Sequence, residues 1–240
     1  MSTPEKSPAL KHLEETRTAH TAQMMKINDI TAAIARSKKE REAAIDNGKE
    51  AETSWRTRFR DLRGAITPEM RAEHSQRIAS RELADEFAGL IEVLEFEHEG
   101  EMIAAVSTGR AWVNAHGTAF TQYAEEQWNA AMRTLSPTLI RGIILKLMSL
   151  RLNDTGRQTD PLHEEPAVIL AREVGKRLVD LADRTRLDMS AEPVLSEIGL
   201  HRPALTGVDM RLYNSFAATQ KLINERAEKR GKNKQKENEK

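Results

Sequence analysis

Proline placement constrains this chain more than any other feature. No proline lies between Pro8 and Pro68, and none between Pro68 and Pro137. Proline breaks a helix by removing a donor and crowding the preceding turn. Two stretches this long without one predict two very long helices within 240 residues. Between them stands Gly64-Ala65-Ile66-Thr67-Pro68-Glu69. Gly64 can end one helix, Thr67 can cap the next, and Pro68 suits its first position. A turn that short folds the second helix back antiparallel to the first.

The apolar pattern agrees. Leu10, Leu13, Met24, Ile27, Ile34 and Ile45 share one heptad frame, interrupted by Arg17, His20, Thr31, Lys38 and Arg41. This is an imperfect coiled-coil seam, with a break or kink available at Asn47-Gly48. The second helix carries Ile78, Phe87, Leu90, Ile91, Leu94, Met102, Ile103 and Val106, and Asn114-Ala115-His116-Gly117 reads as its stop. Beyond it come shorter, bulkier helices. One holds Phe120, Tyr123, Trp128 and Met132, the next starts at Ser136-Pro137, and another holds Val168 to Leu181. A short one is capped by Ser190 and ended by Gly199, and the last covers about 209–229. A polar loop over 153–161 separates two of them. No stretch alternates as a strand does. The chain is therefore expected to be all-α. A long antiparallel coiled-coil hairpin (8–117) precedes a smaller helical part (118–230) and a disordered basic tail (231–240).

Composition narrows the function classes. The chain is 31% charged and only 4% aromatic, which suits long, partly exposed helices. Lys plus Arg equals Asp plus Glu at 37 each, which argues against a surface built wholly for nucleic acid. No cysteine is present, so disulfides and thiolate metal sites are excluded. The longest apolar run, 139–152, is interrupted by Arg141, Lys146 and Arg151 and is too short to span a bilayer. No membrane role is expected. A narrow apolar stripe with charged flanks buries little in a lone hairpin. The front helices therefore call for a partner surface, and a homodimer is the economical one.

No catalytic motif is legible. Glu95 and His98 have Glu-x-x-His spacing, but a di-metal bundle needs that motif twice with two further Glu. A solvated helix face explains the pair more simply. The seven histidines are scattered, and neither a nucleophile elbow, a phosphate loop nor a dinucleotide fingerprint occurs. The chain is expected to be no enzyme and to hold no metal or cofactor. Residues 221–240 contain eight Lys or Arg against four Glu, yet no aromatic to stack on a base, so nucleic acid is not the expected partner.

One ordered string points further. His116-Gly117-Thr118-Ala119 is followed by Ser190-Ala191, Ile198-Gly199, Arg202-Pro203 and Val208-Asp209. A closing helix then carries Phe216, Gln220 and Ile223. In content and order this resembles the polarity suppression (Psu) proteins of satellite phages. Two residues, Leu200 and His201, stand where that family has one, and another is inserted before Phe216. The resemblance implies a non-enzymatic, all-helical, intertwined dimer that decorates the phage capsid exterior. It also implies binding to the bacterial transcription terminator Rho, with suppression of Rho-dependent termination. Carried over by motif, the partner-binding residues are Pro203, Arg211, Phe216 and Gln220. The protein would then act in the host bacterial cytoplasm and on the virion surface. Two alternatives stand beside this reading. One is a structural capsid decoration or coiled-coil adaptor protein without Rho binding. The other is a metal- or nucleic-acid-dependent enzyme.

Overall fold

The computed structural model describes residues 6–154 and 164–238, with side chains described as far as residue 231. Among these residues the regular secondary structure is helical and contains no strand. Helix α1 spans Pro8–Asp61, α2 Pro68–Arg133, α3 Pro137–Asn153, α4 Pro166–Arg184, α5 Pro193–Ile198, α6 Met210–Asn214 and α7 Phe216–Asn238. Helices α1 to α5 all begin at a proline, which donates nothing to the helix and fits its first position. Ser7, Thr67 and Ser136 cap three of these starts. Each hydroxyl accepts a backbone N–H, from Leu10 at 3.3 Å, Met70 at 3.4 Å and Thr138 at 3.2 Å. At the hairpin turn Gly64 takes a left-handed φ of 88° and donates its N–H to the Phe59 carbonyl.

The chain divides into two compact units, Met1–Ala115 with Pro203–Lys240, and His116–Arg202. In the first unit α1 and α2 run antiparallel. Gln23 Nε2 donates to the Glu101 carbonyl, Lys38 pairs with Glu95, and Ser54 and Arg58 reach Glu73. One row of the expected frame forms the contact, with Leu13, His20 and Ile27 buried a heptad apart. The second row is rotated. Gln23, Ser37, Ala44 and Ala51 are buried, while Leu10, Met24 and Ile45 are only half-covered. Small residues in this row let the two backbones approach. A Cβ on Gly48 would lie 3.4 Å from the Ser80 Cβ, and α1 passes this glycine without a break.

The chain's own C-terminal segment returns to the hairpin. Ile27 of α1, Ala105 and Val106 of α2, and Val208 and Leu212 form one buried cluster, flanked by Met24, Met102, Leu205 and Leu222. Residues 203–240 thus group with the front helices rather than with 116–202. Helix α7 continues to Asn238, past the expected end near residue 229, so residues 231–238 carry helical backbone.

Helix α2 does not stop at His116-Gly117. One interior glycine costs a helix about 1 kcal/mol relative to alanine. Burial of Ala115, His116 and Ala119 along one face outweighs that cost. In the second unit α3 and α4 pack together, linked by Lys146 to Glu173 at 3.6 Å. Their shared face is thin: α3 buries no residue and α4 buries only Leu170. The His116 Nε2–H donates to the Gly199 carbonyl at 3.0 Å, fixing the end of α5. Most of the polar loop expected over 153–161 lies outside the described residues.

Candidate partner-binding surface

The residues singled out by sequence sit on the segment that closes the first unit. Asp209 caps α6, its carboxylate accepting the Arg211 N–H at 2.8 Å and pairing with the Arg211 guanidinium at 3.1 Å. The guanidinium holds the Asp209 carboxyl below its ordinary range. Leu212 points inward to the core, so Arg211 beside it faces solvent, with its side chain 90% exposed. Ser215 then caps α7 by accepting the Ala218 N–H at 3.2 Å. Phe216, the first residue of α7, is 75% exposed and is not core. Gln220, one turn on, is exposed and donates to Asn224 Oδ1 at 3.1 Å. Pro203 is half-buried. Among the described residues no hydrogen bond or ion pair joins any two of these four positions. Arg211, Phe216 and Gln220 are each exposed on two short-spaced, capped helices, with Pro203 half-buried ahead of them, and the four do not make a preorganised pocket.

Several positioning residues escaped the sequence reading. Arg110 of α2 donates to the carbonyls of Leu212 (3.4 Å) and Tyr213, and its guanidinium stands 5.4 Å from the Tyr213 ring. It ties the end of α6 to the hairpin. Gly207, with φ of 84°, lies against Met24; a Cβ there would fall 2.8 Å from the Met24 methyl. Further along, Arg226 of α7 stacks 4.3 Å from the Phe96 ring centroid, its guanidinium filling the space above Gly100. Lys229 pairs with Glu99 at 2.8 Å. Only Gly100, a glycine inside an otherwise helical pattern, hinted at this close approach.

The polar groups of the hairpin are structural. The buried His20 ring contacts the Thr108 hydroxyl through Nδ1 at 3.0 Å and lies 5.4 Å from Trp112. Its burial lowers its pKa. Tyr123 donates to Glu192 at 2.6 Å, and that carboxylate raises the tyrosine pKa. Glu95 is engaged by Lys38, and no group of three metal-ligating side chains occurs among the described residues. No described helix is long and apolar enough to cross a membrane.

No family model matches the chain. Among curated proteins it is similar to Glycoprotein 3 of Enterobacteria phage P4, with 31% identity over 206 residues, covering 84% of this chain and 83% of the relative. Among solved structures it is similar to a chain of the satellite phage P4 procapsid including size determination (Sid) protein. That likeness has a TM-score of 0.78 and 28% identity, and covers 95% of this chain and 96% of the other.

Proposed function

Because the chain belongs to the family of Glycoprotein 3 of Enterobacteria phage P4, we propose that it binds a phage procapsid and takes part in determining its size. It is a satellite-phage protein with a capsid-related role. The observation that carries the finer reading is the likeness to the procapsid chain over 95% of this one, hairpin and C-terminal helices included. A long helix suits the task physically. An α1 of 54 residues extends about 80 Å, enough to reach across several neighbouring subunits of a shell. Its partner is the capsid protein, met in the host bacterial cytoplasm where the shell assembles and kept on the particle's surface. The account requires no catalysis and no cofactor. Purified protein mixed with procapsids of a helper-type phage should co-sediment with the shells in a sucrose gradient. Protein left wholly at the top of the gradient would contradict the proposal.

A second reading is favoured by one specific observation. The Psu-like string from Ser190 to Ile223 contains an exposed Phe216 five residues after the exposed Arg211, and arginine and aromatic residues dominate protein hot spots. On this reading the corner binds Rho and suppresses Rho-dependent termination. Binding of purified Rho that is lost in Phe216→Ala supports it; absence of Rho binding by the unaltered protein removes it.

A further inference from the structure

The tip of the α1–α2 hairpin concentrates a chemistry that the balanced composition conceals. From Trp55 to Arg71 the chain carries Arg56, Arg58, Arg60, Arg63 and Arg71, no lysine, and only Asp61 and Glu69 as acids. Arg56 is taken up by Glu52 and Arg58 by Glu73. Arg60, Arg63 and Arg71 are exposed and make no ion pair among the described residues. Arg63 stands at a φ of 49°, in the left-handed region that glycine or asparagine fills at most helix ends. An exposed arginine therefore occupies a position where a small residue would fold more easily. Beside these cations lies an aromatic stack. Trp55 and Phe59, one helical turn apart, have ring centroids 5.1 Å apart and planes inclined by 14°. Trp55 is supported from α2, with the Arg77 guanidinium 5.8 Å and the His74 ring 6.0 Å from its own ring. Arg77 donates to His74 Nδ1 at 3.2 Å, which ties this support together. Trp55 is half-buried, whereas Phe59 remains 37% exposed.

We propose that this tip binds single-stranded nucleic acid, a base stacking on Phe59 while Arg60, Arg63 and Arg71 hold the flanking phosphates. Arginine alone supplies the cations, and its planar fork meets phosphate oxygens in pairs. Every base has a π-face, so a ring platform flanked by positive charge takes a strand without reading its sequence. A duplex keeps its bases stacked on one another and offers the ring no free face, which favours a single strand. An acidic protein would use the arginines but give the ring stack no role. The basic tail at 221–240 lacks an aromatic, whereas the tip holds cation and ring within a few residues. Equal totals of 37 acidic and 37 basic residues exclude a wholly basic surface and leave room for a local patch. The site lies within the first unit and does not rest on procapsid binding.

The test is fluorescence anisotropy of the full chain with a labelled oligouridine of about 12 nucleotides, within the usual site size of such surfaces. An oligothymidine of the same length is run beside it, and binding of either at micromolar protein supports the proposal. For three engaged phosphates, affinity should fall about twentyfold between about 50 and 200 mM salt. Arg60→Gln, Arg63→Gln and Arg71→Gln together should weaken binding about tenfold or more and flatten that salt dependence. These side chains make no ion pair, so circular dichroism should show unchanged helix content. Phe59→Leu keeps apolar bulk beside Trp55 but removes the stacking face, and should weaken binding about tenfold; Phe59→Tyr should retain it. No binding by the unaltered chain at about 50 mM salt would overturn the proposal. So would binding that survives either the triple variant or Phe59→Leu. The exposed Leu62 and Ile66 at the turn call for two competitors. Displacement of the probe by polyglutamate as readily as by unlabelled oligouridine would assign the tip to an acidic protein. Equal displacement by phosphatidylglycerol vesicles would assign it to an anionic membrane, and either result overturns the proposal.

Discussion

At the scale of the residue, two positions carry more than their size suggests. Gly207 combines a left-handed φ with contact against Met24. A side chain there meets both backbone strain and a steric clash, so Gly207→Ala should lower stability by about 1–3 kcal/mol, measured by chemical denaturation. His20 is buried between α1 and α2 with its pKa depressed by desolvation. Below the ordinary histidine value of 6.5 the unfolded chain takes up a proton that the folded chain resists. The His20 contribution is therefore fully present above pH 6.5 and falls as pH drops below it. Stability measured from pH 7.5 to pH 5 should decline, and His20→Gln should flatten that part of the decline. An equal slope in the variant would show that other groups cause it. None of this was legible from sequence: His20 stood in the predicted frame only as an interruption, and Gly207 had no pattern around it.

At the scale of the element, what could be read were the helix starts. Proline and a capping hydroxyl act through the adjacent turn, so Pro8, Pro68 and Pro137 marked the true beginnings of α1, α2 and α3. Helix ends were less legible. Gly117 looked like a stop, but the burial of Ala115, His116 and Ala119, a tertiary effect, carries α2 onward. The seam was half legible for a similar reason. Leu13 and Ile27 announce themselves by hydrophobicity, whereas Ser37, Ala44 and Ala51 are chosen by close backbone approach, which no periodicity of apolar residues reveals. The C-terminal corner allows a clean separation of packing from contact. Leu212→Ala should destabilise the fold by about 2–5 kcal/mol, because its side chain belongs to the core cluster. Phe216→Ala should change stability by under about 0.5 kcal/mol, because its ring is in solvent. Thermal unfolding of the two variants compares them directly, and a large loss for Phe216→Ala would mean that the ring packs.

At the scale of the whole molecule, the front helices, expected to need a partner, find part of one in their own chain through Val208, Leu212 and α7. Sequence periodicity could not show this, because the contact joins residues far apart along the chain. Family membership supplies the setting, a satellite-phage capsid, and under the proposed function the length of α1 would be the physical means of reaching neighbouring shell subunits. The most direct measurement is the diameter distribution of procapsids formed by a helper-type phage capsid protein with and without this chain, taken by electron microscopy. The account predicts that co-expression shifts the shells to a different, narrow size class with the protein bound to them. An unchanged distribution, with shells bare of the protein, would contradict it.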